Sequence, residues 1–221
     1  MDFPKLLGLR PGVTAVIGSG GKTSLLRRLA EELPGTVLLC TTTHIRPFEE
    51  YPLLTAPTPE DIRKALTAHR VLCLGTPCEN GKLTAPSLSV ETLATLADYV
   101  LVEADGSAGK PFKGHEKHEP VLPPRRNTTI LVLGADGFGR PISVAAHRPA
   151  LYARLAGVPE NRPVTPAIAA RVAAREGFHD QVFVNQVDQE EERPLARQLA
   201  ERLDCPVAAG SLRSGCWEKI K

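Results

Sequence analysis

The sequence predicts an α/β fold in which a mostly parallel sheet is flanked by helices. Short apolar runs, many of them rich in β-branched residues, alternate along the chain with segments whose apolar residues recur at helical spacing. Several of these runs lack the polar–apolar alternation of a half-exposed strand, which indicates strands covered on both faces. The length of 221 residues fits a single domain, 1–221, with one long functional loop at about 105–126.

The individual elements follow from apolar runs and from helix start signals. Strands are predicted at Val13 to Ile17, Thr36 to Cys40, Arg70 to Leu74, Tyr99 to Glu103, Thr129 to Leu133, Gln181 to Asn185 and Pro206 to Ala209. Helices are predicted at Lys22 to Leu33, Pro59 to His69, Val90 to Ala97, Pro149 to Ala156, Pro166 to Glu176 and Glu190 to Leu203. Thr58-Pro59 and Thr165-Pro166 each supply an N-cap followed by a proline at the first helical position.

Composition argues against several classes of partner. With 27 basic and 25 acidic residues, the net charge of +2 creates no field that favours nucleic acid or a membrane surface. The stretch Met1 to Gly12 does not resemble a secretory signal, and no apolar run approaches the roughly 20 residues that span a bilayer. The five cysteines are dispersed and predict free thiols rather than disulfides or a zinc site, so we expect a cytoplasmic protein.

A glycine-rich loop follows the first predicted strand and opens the first helix. Its sequence is Gly18-Ser19-Gly20-Gly21-Lys22-Thr23-Ser24. Backbone N–H groups in such a loop, together with the helix N-terminus, attract phosphate. We expect Lys22 to bridge the terminal phosphates and Thr23 to ligate Mg²⁺, which predicts a P-loop nucleoside triphosphatase-like fold that binds GTP or ATP.

One position departs from the common phosphate-loop spacing. The form G-x-x-x-x-G-K-[ST] has a glycine six residues before the lysine, and Val16 stands there. The loop therefore begins late, or the strand before it is longer than usual. A glycine-rich turn with a solvated lysine is the alternative interpretation.

Two carboxylates end the predicted strand at Tyr99 to Glu103. Ligands of such sheets bind at the carboxyl ends of the strands, where an acid can hold a magnesium-bound water or orient an attacking water. We favour Asp105 for magnesium and keep Glu103 as the alternative, so Lys22, Asp105 and Glu103 are the catalytic candidates. A simple Asp-Gly turn at the strand end is the structural alternative.

A candidate for base recognition lies at Asn185-Gln186-Val187-Asp188, which is similar to the Asn-Lys-x-Asp motif of many GTPases. An aspartate can accept from both N1–H and the 2-amino group of guanine, whereas adenine offers neither. Asp188 also fits a capping box with Glu191 for the last helix, so both interpretations stay open. Gly210 and Ser211 follow the last predicted strand, where a second base-contacting loop is expected.

Other polar residues have two interpretations each. Thr41 to His44 fits a switch segment or a β-branched strand end. His115 and His118 fit a metal site or solvated and hydrogen-bonded histidines, and Arg148 fits a phosphate contact or a helix start.

Several of these segments together resemble the YqeC family, which is described as accessory proteins of selenium-dependent molybdenum hydroxylases. The resemblance rests on five segments: Gly18 to Ser24, Glu103 to Gly106, Lys113 to Pro123, His147 to Pro149 and Asn185 to Asp188. It implies a P-loop domain that acts in maturation, or in selenium and molybdenum cofactor insertion, of a xanthine-dehydrogenase-like enzyme.

Three functions are consistent with these features. The first is a nucleoside triphosphatase, with GTP preferred, that drives a conformational cycle during maturation of a molybdenum hydroxylase. The second is a small-molecule kinase or ATP-dependent ligase of cofactor biosynthesis. The third is a non-catalytic chaperone that inserts a cofactor. The sequence leaves the client and the oligomeric state open.

Overall fold

The computed structural model describes residues 2–221, and Met1 lies outside it. The described chain forms two compact units. The first comprises residues 2–16, 23–106 and 121–128, and the second comprises residues 17–22, 107–120 and 129–221. The single domain over 1–221 stays a prediction.

The first unit is built on five parallel strands. Its elements, together with β1 and α2, which begin or end in the second unit, are α1 (Phe3–Leu6), β1 (Gly12–Gly18), α2 (Lys22–Glu32), β2 (Val37–Thr41), β3 (Leu53–Leu54), α3 (Pro59–Leu66), β4 (Val71–Leu74), β5 (Thr76–Cys78), β6 (Lys82–Thr84), α4 (Val90–Leu93) and β7 (Tyr99–Glu103). The order across the sheet is β1, β7, β2, β4, β3, and β5 and β6 form a separate antiparallel hairpin. The register sets Val16 of β1 and Thr41 of β2 opposite Glu103 of β7.

One face of these strands packs against α3 and α4. Leu38, Leu72 and Val100 on the strands join Ile62 of α3 and Leu93 of α4 in one buried cluster. Every residue of β2 and β7 is buried, so both faces of these strands are covered, as their continuous apolar runs indicate. The Thr58 side chain accepts from the backbone N of Asp61 while the Asp61 carboxylate accepts from Thr58, so the predicted start of α3 is confirmed.

The second unit is built on three parallel strands with an antiparallel fourth at the edge. Its elements are β8 (Phe112–Lys113), β9 (Thr128–Gly134), α5 (Ile142–Ala145), β10 (Ala146–His147), α6 (Pro149–Ala156), α7 (Pro166–Glu176), β11 (Gln181–Asn185), α8 (Glu192–Ala200), β12 (Val207–Ser211) and β13 (Cys216–Lys219). The order is β9, β11, β12, β13, and β8 pairs with β10 apart from these strands. Asn185 lies opposite Gly134 at the carboxyl ends of β11 and β9.

The observed elements confirm the predicted α/β class of mostly parallel strands flanked by helices. The long loop at 105–126 differs from the expectation, because it contains β8 and its residues Phe112, Lys113 and His115 are buried. The helix predicted at Val90 to Ala97 is a single turn ending at Leu93. Strand β13 has no counterpart in the prediction.

Two further expectations concern the whole described chain. All five cysteines are free thiols. No helix within residues 2–221 is both long enough and apolar enough to cross a bilayer.

Candidate functional site

The glycine loop, which we define as residues Gly18 to Lys22, needs its glycines for backbone reasons. Gly18, Gly20 and Gly21 have φ angles of 91°, 87° and 124°, values that residues with a Cβ rarely adopt. A Cβ on Gly18 would lie 2.4 Å from the carbonyl oxygen of Val132, and one on Gly20 would lie 2.4 Å from the backbone nitrogen of Gly134. The loop is therefore pressed onto the backbone of β9.

This packing also accounts for the unusual spacing of the motif. Val16, at the position of the missing glycine, is fully buried within β1, and β1 continues to Gly18. The backbone nitrogen of Ser19 then donates to the carbonyl oxygen of Val132 at 2.9 Å. The strand is longer than in the common motif, and the turn begins two residues later.

Lys22 points inward from the start of α2. Its Nζ donates to the carbonyl oxygen of Gly18 at 2.8 Å and to Ser107 Oγ at 3.0 Å, and the residue is 4% exposed. A buried ammonium requires polar partners, because leaving it unpaired in the interior is costly. Lys22 is therefore not the solvated lysine of a simple glycine-rich turn.

Two further side-chain contacts hold the glycine loop. The hydroxyl of Ser19 is fully buried and donates to the carbonyl oxygen of Lys110. Asn185 donates from Nδ2 to the carbonyl oxygen of Gly20 at 2.8 Å, and its Oδ1 accepts from the backbone nitrogen of Leu212 at 3.1 Å. The predicted base-reading asparagine thus ties the glycine loop to the turn after β12.

In the first unit, the side chain of Thr23 lies beside that of Glu103. Thr23 Oγ1 donates to Glu103 Oε2 at 3.1 Å, and the Glu103 backbone oxygen accepts from Thr41 Oγ1 at 2.8 Å. Glu103 is 7% exposed, whereas Asp105 is fully buried. Thr41 therefore closes the end of β2, as the strand-end interpretation of Thr41 to His44 expects, and His44 is exposed.

The donor set at Thr23 and Glu103 suits a hard cation with few protein ligands. Among residues 2–221, no group of three or more histidine, cysteine, aspartate or glutamate side chains is placed to hold a metal ion. Mg²⁺ commonly takes one or two protein oxygens and completes its shell with waters and phosphate oxygens. A hydroxyl and a carboxylate oxygen 3.1 Å apart fit that pattern.

Asp188 does not form the capping box that its spacing to Glu191 allowed. Helix α8 begins at Glu192, and Glu191 makes no side-chain cap hydrogen bond. Instead, Glu192 Oε2 accepts from the backbone nitrogens of Asp188 at 2.6 Å and Gln189 at 2.8 Å. The capping interpretation of Asp188 is wrong, and its exposed carboxylate is left for another role.

The surroundings of Asp188 are acidic. Burial raises the pKa of the Asp136 carboxyl, the charges of Glu192 and Asp188 raise it further, and Arg140 opposes them. Two carboxylates, those of Asp136 and Glu192, therefore lie close enough to interact with Asp188 or with each other, and Arg140 partly offsets their charge.

Gly210 and Ser211 end β12 beside this corner. The carbonyl oxygen of Gly210 accepts from the backbone nitrogen of Val187 at 3.1 Å, and Ser211 is 1% exposed. A Cβ on Gly210 would lie 2.6 Å from the Cα of Trp217, so glycine permits the close approach of β13. A cavity of about 230 Å³ next to these strands is lined in part by Val187, Arg193, Gly210 and Trp217.

The two histidines of the long loop, His115 and His118, differ in burial and in their contacts. His115 is buried, and its Nδ1 lies 2.8 Å from Glu176 Oε2 while its backbone nitrogen donates to Glu176 Oε1 at 2.8 Å. His118 is exposed. Hydrogen bonding, one of the two interpretations, therefore describes His115, and the two histidines share no ligand site in the described residues.

Arg148 is held by an acid of the same loop. Its Nη1 pairs with Glu119 Oε2, which also lies 2.7 Å from the buried Nζ of Lys113. Burial alone would raise the pKa of Glu119, but hydrogen bonds from Arg148 and Lys113 outweigh it and lower the pKa to about 2. Arg148 is also the N-cap residue directly before α6, as the helix-start interpretation expects.

Sequence reasoning missed Ser107, Lys110, Glu119 and Glu176. Ser107 and Lys110 contact the glycine loop from far along the chain, where no local pattern signals a contact. Lys110 and Glu119 lie in a run rich in lysines, histidines and acids, but nothing in the pattern of that run identifies the residues that they contact.

Comparison with known proteins places these residues in a family. The family model described as "YqeC protein" matches residues 14–150, more than half of the chain, including the glycine loop, Glu103, Asp105 and Arg148. The chain belongs to the YqeC family. It is 35% identical over 159 residues to "Uncharacterized protein YqeC" of Escherichia coli (strain K12), a match that covers 67% of this chain and 62% of that protein. The YqeC match ends before β11, so Asn185 and Asp188 lie beyond the part that the family model covers.

Proposed function

We propose that this YqeC-family protein binds a nucleoside triphosphate, GTP in preference to ATP, through the glycine loop. The observation that carries the proposal is the placement of Lys22 and Thr23. They are successive residues at the start of an 11-residue helix, directly after a turn with three positive-φ glycines. This arrangement is typical of loops that bind phosphate.

The chemistry of the loop supports phosphate over other anions. Lys22 supplies an ammonium, and the helix start supplies N–H groups that no carbonyl within the helix can accept, at the positive end of the helix dipole. Both favour a multiply charged ligand. Because Lys22 donates to the carbonyl oxygen of Gly18 and to Ser107 Oγ, its ammonium is held in a fixed position beside the glycine loop.

A magnesium ion is expected with the nucleotide, held by Thr23 and Glu103. It would neutralise phosphate charge and draw electron density from the phosphoryl oxygens. We prefer Glu103 to Asp105 because Glu103 Oε2 already contacts the Thr23 hydroxyl. Asp105 is the alternative magnesium ligand. In hydrolysis, water attacks the terminal phosphorus and GTP gives GDP and inorganic phosphate, and the acid that does not hold magnesium would orient that water.

The preference for GTP rests on Asp188. Its carboxylate is exposed, and α8 begins after Glu191 without a side-chain cap hydrogen bond, so capping does not occupy Asp188. Guanine presents two adjacent N–H donors to such a group, whereas adenine leaves the carboxylate without a partner. The carboxylates of Asp136 and Glu192 in the same region would also favour the N–H donors of guanine.

The biological role that we propose is that of an accessory factor in maturation of a selenium-dependent molybdenum hydroxylase. This part rests on the resemblance of the chain to its family. Nucleotide binding would then order or release contacting segments, as in other phosphate-loop switches.

Calorimetry with GTP, ATP and a pterin cytidine dinucleotide tests the proposal on the purified protein. We expect GTP with Mg²⁺ to bind most tightly, and Lys22→Ala to weaken binding at least roughly tenfold, since a charged hydrogen-bonding group is lost. Lys64→Ala, at an exposed lysine of α3, is the matched control. Absence of GTP and ATP binding, or unchanged binding by a folded Lys22→Ala protein, contradicts the proposal.

A second comparison separates the bases. Asp188→Asn is expected to reduce the preference for GTP over ATP while leaving ATP affinity almost unchanged. If the protein instead binds the pterin cytidine dinucleotide tightly and binds neither GTP nor ATP, the result would favour the function of a non-catalytic chaperone that inserts a cofactor.

A further inference from the structure

The segment from Ser107 to Lys110 forms a turn over the glycine loop. The backbone nitrogen of Lys110 donates to the carbonyl oxygen of Ser107 at 3.1 Å, and Ala108 and Gly109 between them have φ angles of 48° and 70°. A non-glycine residue at positive φ stores local strain and persists where surrounding contacts fix it. The turn is therefore held in a defined conformation rather than following a generic loop path.

Three contacts fix this turn on the loop and on β9. Ser107 Oγ lies 3.0 Å from Lys22 Nζ, and the carbonyl oxygen of Lys110 accepts from the Ser19 hydroxyl. The next residue, Pro111, accepts at its carbonyl oxygen from the backbone nitrogen of Gly134 at 3.0 Å. The Ser107 hydroxyl thus stays at the ammonium that the proposed function assigns to phosphate.

The direction of the Lys22–Ser107 hydrogen bond decides what Ser107 can do. An ammonium has three donors and no acceptor, so Lys22 donates and Ser107 accepts. The hydroxyl proton of Ser107 remains to be donated to a second acceptor. An anion that approaches the Lys22 ammonium is such an acceptor, and hydrogen bonds to charged groups are stronger than those between neutral groups.

We propose that Ser107 is a binding residue for the terminal phosphate and confers preference for triphosphates over diphosphates. This inference rests on the proposed nucleotide binding and adds a residue from outside the glycine loop. The loop's own N–H groups hold the inner phosphates, Lys22 bridges the terminal phosphates, and Ser107 donates to an oxygen of the last phosphate. Contact between Ser107 and that phosphate would couple nucleotide binding to the position of the turn from Ser107 to Lys110, which precedes β8.

The test measures the ratio of affinities for GTP and GDP, each with Mg²⁺, by calorimetry. Ser107→Ala is expected to weaken GTP roughly tenfold while GDP stays within about twofold of the wild-type affinity, since only the terminal contact is lost. Ser107→Thr keeps the hydroxyl and should restore most of the ratio. Ser143→Ala, at an exposed serine of α5, is the control for serine removal in the same unit.

Each outcome has one meaning. Equal losses for GTP and GDP in Ser107→Ala, or no loss in either, overturn the role of Ser107 and leave nucleotide binding intact. Failure of Ser107→Thr to recover the ratio also overturns it. If the wild-type protein binds neither nucleotide, the proposed function fails and this inference fails with it.

Discussion

Asn185 donates a 2.8 Å hydrogen bond from its side-chain amide to the carbonyl oxygen of Gly20. The end of β11 thereby fixes the conformation of the glycine loop. Through its Oδ1 the same amide also holds the backbone nitrogen of Leu212.

Asn185→Ala should destabilise the protein and weaken nucleotide binding together. The change leaves two backbone partners without their hydrogen bonds at a buried position, which we expect to cost about 2 kcal/mol of unfolding free energy. Urea denaturation and calorimetry measure the two effects. Asn161→Ala, at an exposed asparagine, should change neither, and wild-type stability in Asn185→Ala would argue against this bracing role.

Gly20→Ala should be far more destabilising than an alanine at another positive-φ glycine. A Cβ on Gly20 would meet backbone atoms of Gly134 at 2.4 Å and 2.6 Å, whereas Gly139, with φ of 79°, has no atom within 4 Å of that position. We expect about 3 kcal/mol or more for Gly20→Ala against about 1 kcal/mol for Gly139→Ala. Equal losses in thermal or urea unfolding would show that the backbone angle alone matters.

Glu119 should make stability fall in acid. Its pKa is lowered in the folded protein to about 2 from an ordinary value of 4.5, so its stabilisation is complete above the ordinary value and is lost as the pH falls toward 2. Glu119→Gln should unfold more easily at neutral pH, by about 3 kcal/mol, because Lys113 and Arg148 lose their carboxylate. Its unfolding free energy should also change less than that of the wild type between about pH 5 and pH 3.

The control for this pH effect is Glu116→Gln in the same segment. Its profile should follow the wild type. A Glu119→Gln profile as steep as the wild type would assign the acid sensitivity to other carboxyl groups.

Glu103→Gln and Asp105→Asn should separate the two candidate magnesium acids. We expect Glu103→Gln to lower the dependence of GTP binding on Mg²⁺, since it replaces the carboxylate that lies 3.1 Å from the Thr23 hydroxyl. Asp105→Asn, at a fully buried carboxyl, should alter the unfolding free energy and leave the Mg²⁺ dependence in place. Titration of GTP at several Mg²⁺ concentrations measures this dependence in both variants. If Asp105→Asn lowers the dependence and Glu103→Gln does not, Asp105 rather than Glu103 is the magnesium ligand.

Much of the fold could be predicted because its strands and helices carry their own signals. The bounds of β7, β11, α6 and α7 agree with the prediction. Apolar runs mark the two strands, and a proline at the start and a glycine just after the end mark the two helices. The two-residue strands β8 and β10 could not be predicted, because each exists only through its pairing with the other.

The candidate site divides in the same way. Lys22 and Thr23 were predicted from a motif that is contiguous in the chain. Ser107 and the bond from Asn185 to Gly20 depend on residues 85 and 165 positions apart, which no local pattern records. The capping interpretation of Asp188 was wrong by one residue, because Glu192 fits the backbone donors where Glu191 was expected.

The packing of Gly18 and Gly20 on β9 changes which positions are informative in a comparison of relatives. The backbone of Val132 and Gly134 leaves no room for a Cβ at either position, so selection for folding alone would keep both glycines. A relative that retains these glycines but replaces Lys22 would have lost the proposed phosphate contact and kept the architecture. Lys22 and Ser107, rather than the glycines, are therefore the positions by which nucleotide-binding members could be sorted from purely structural ones.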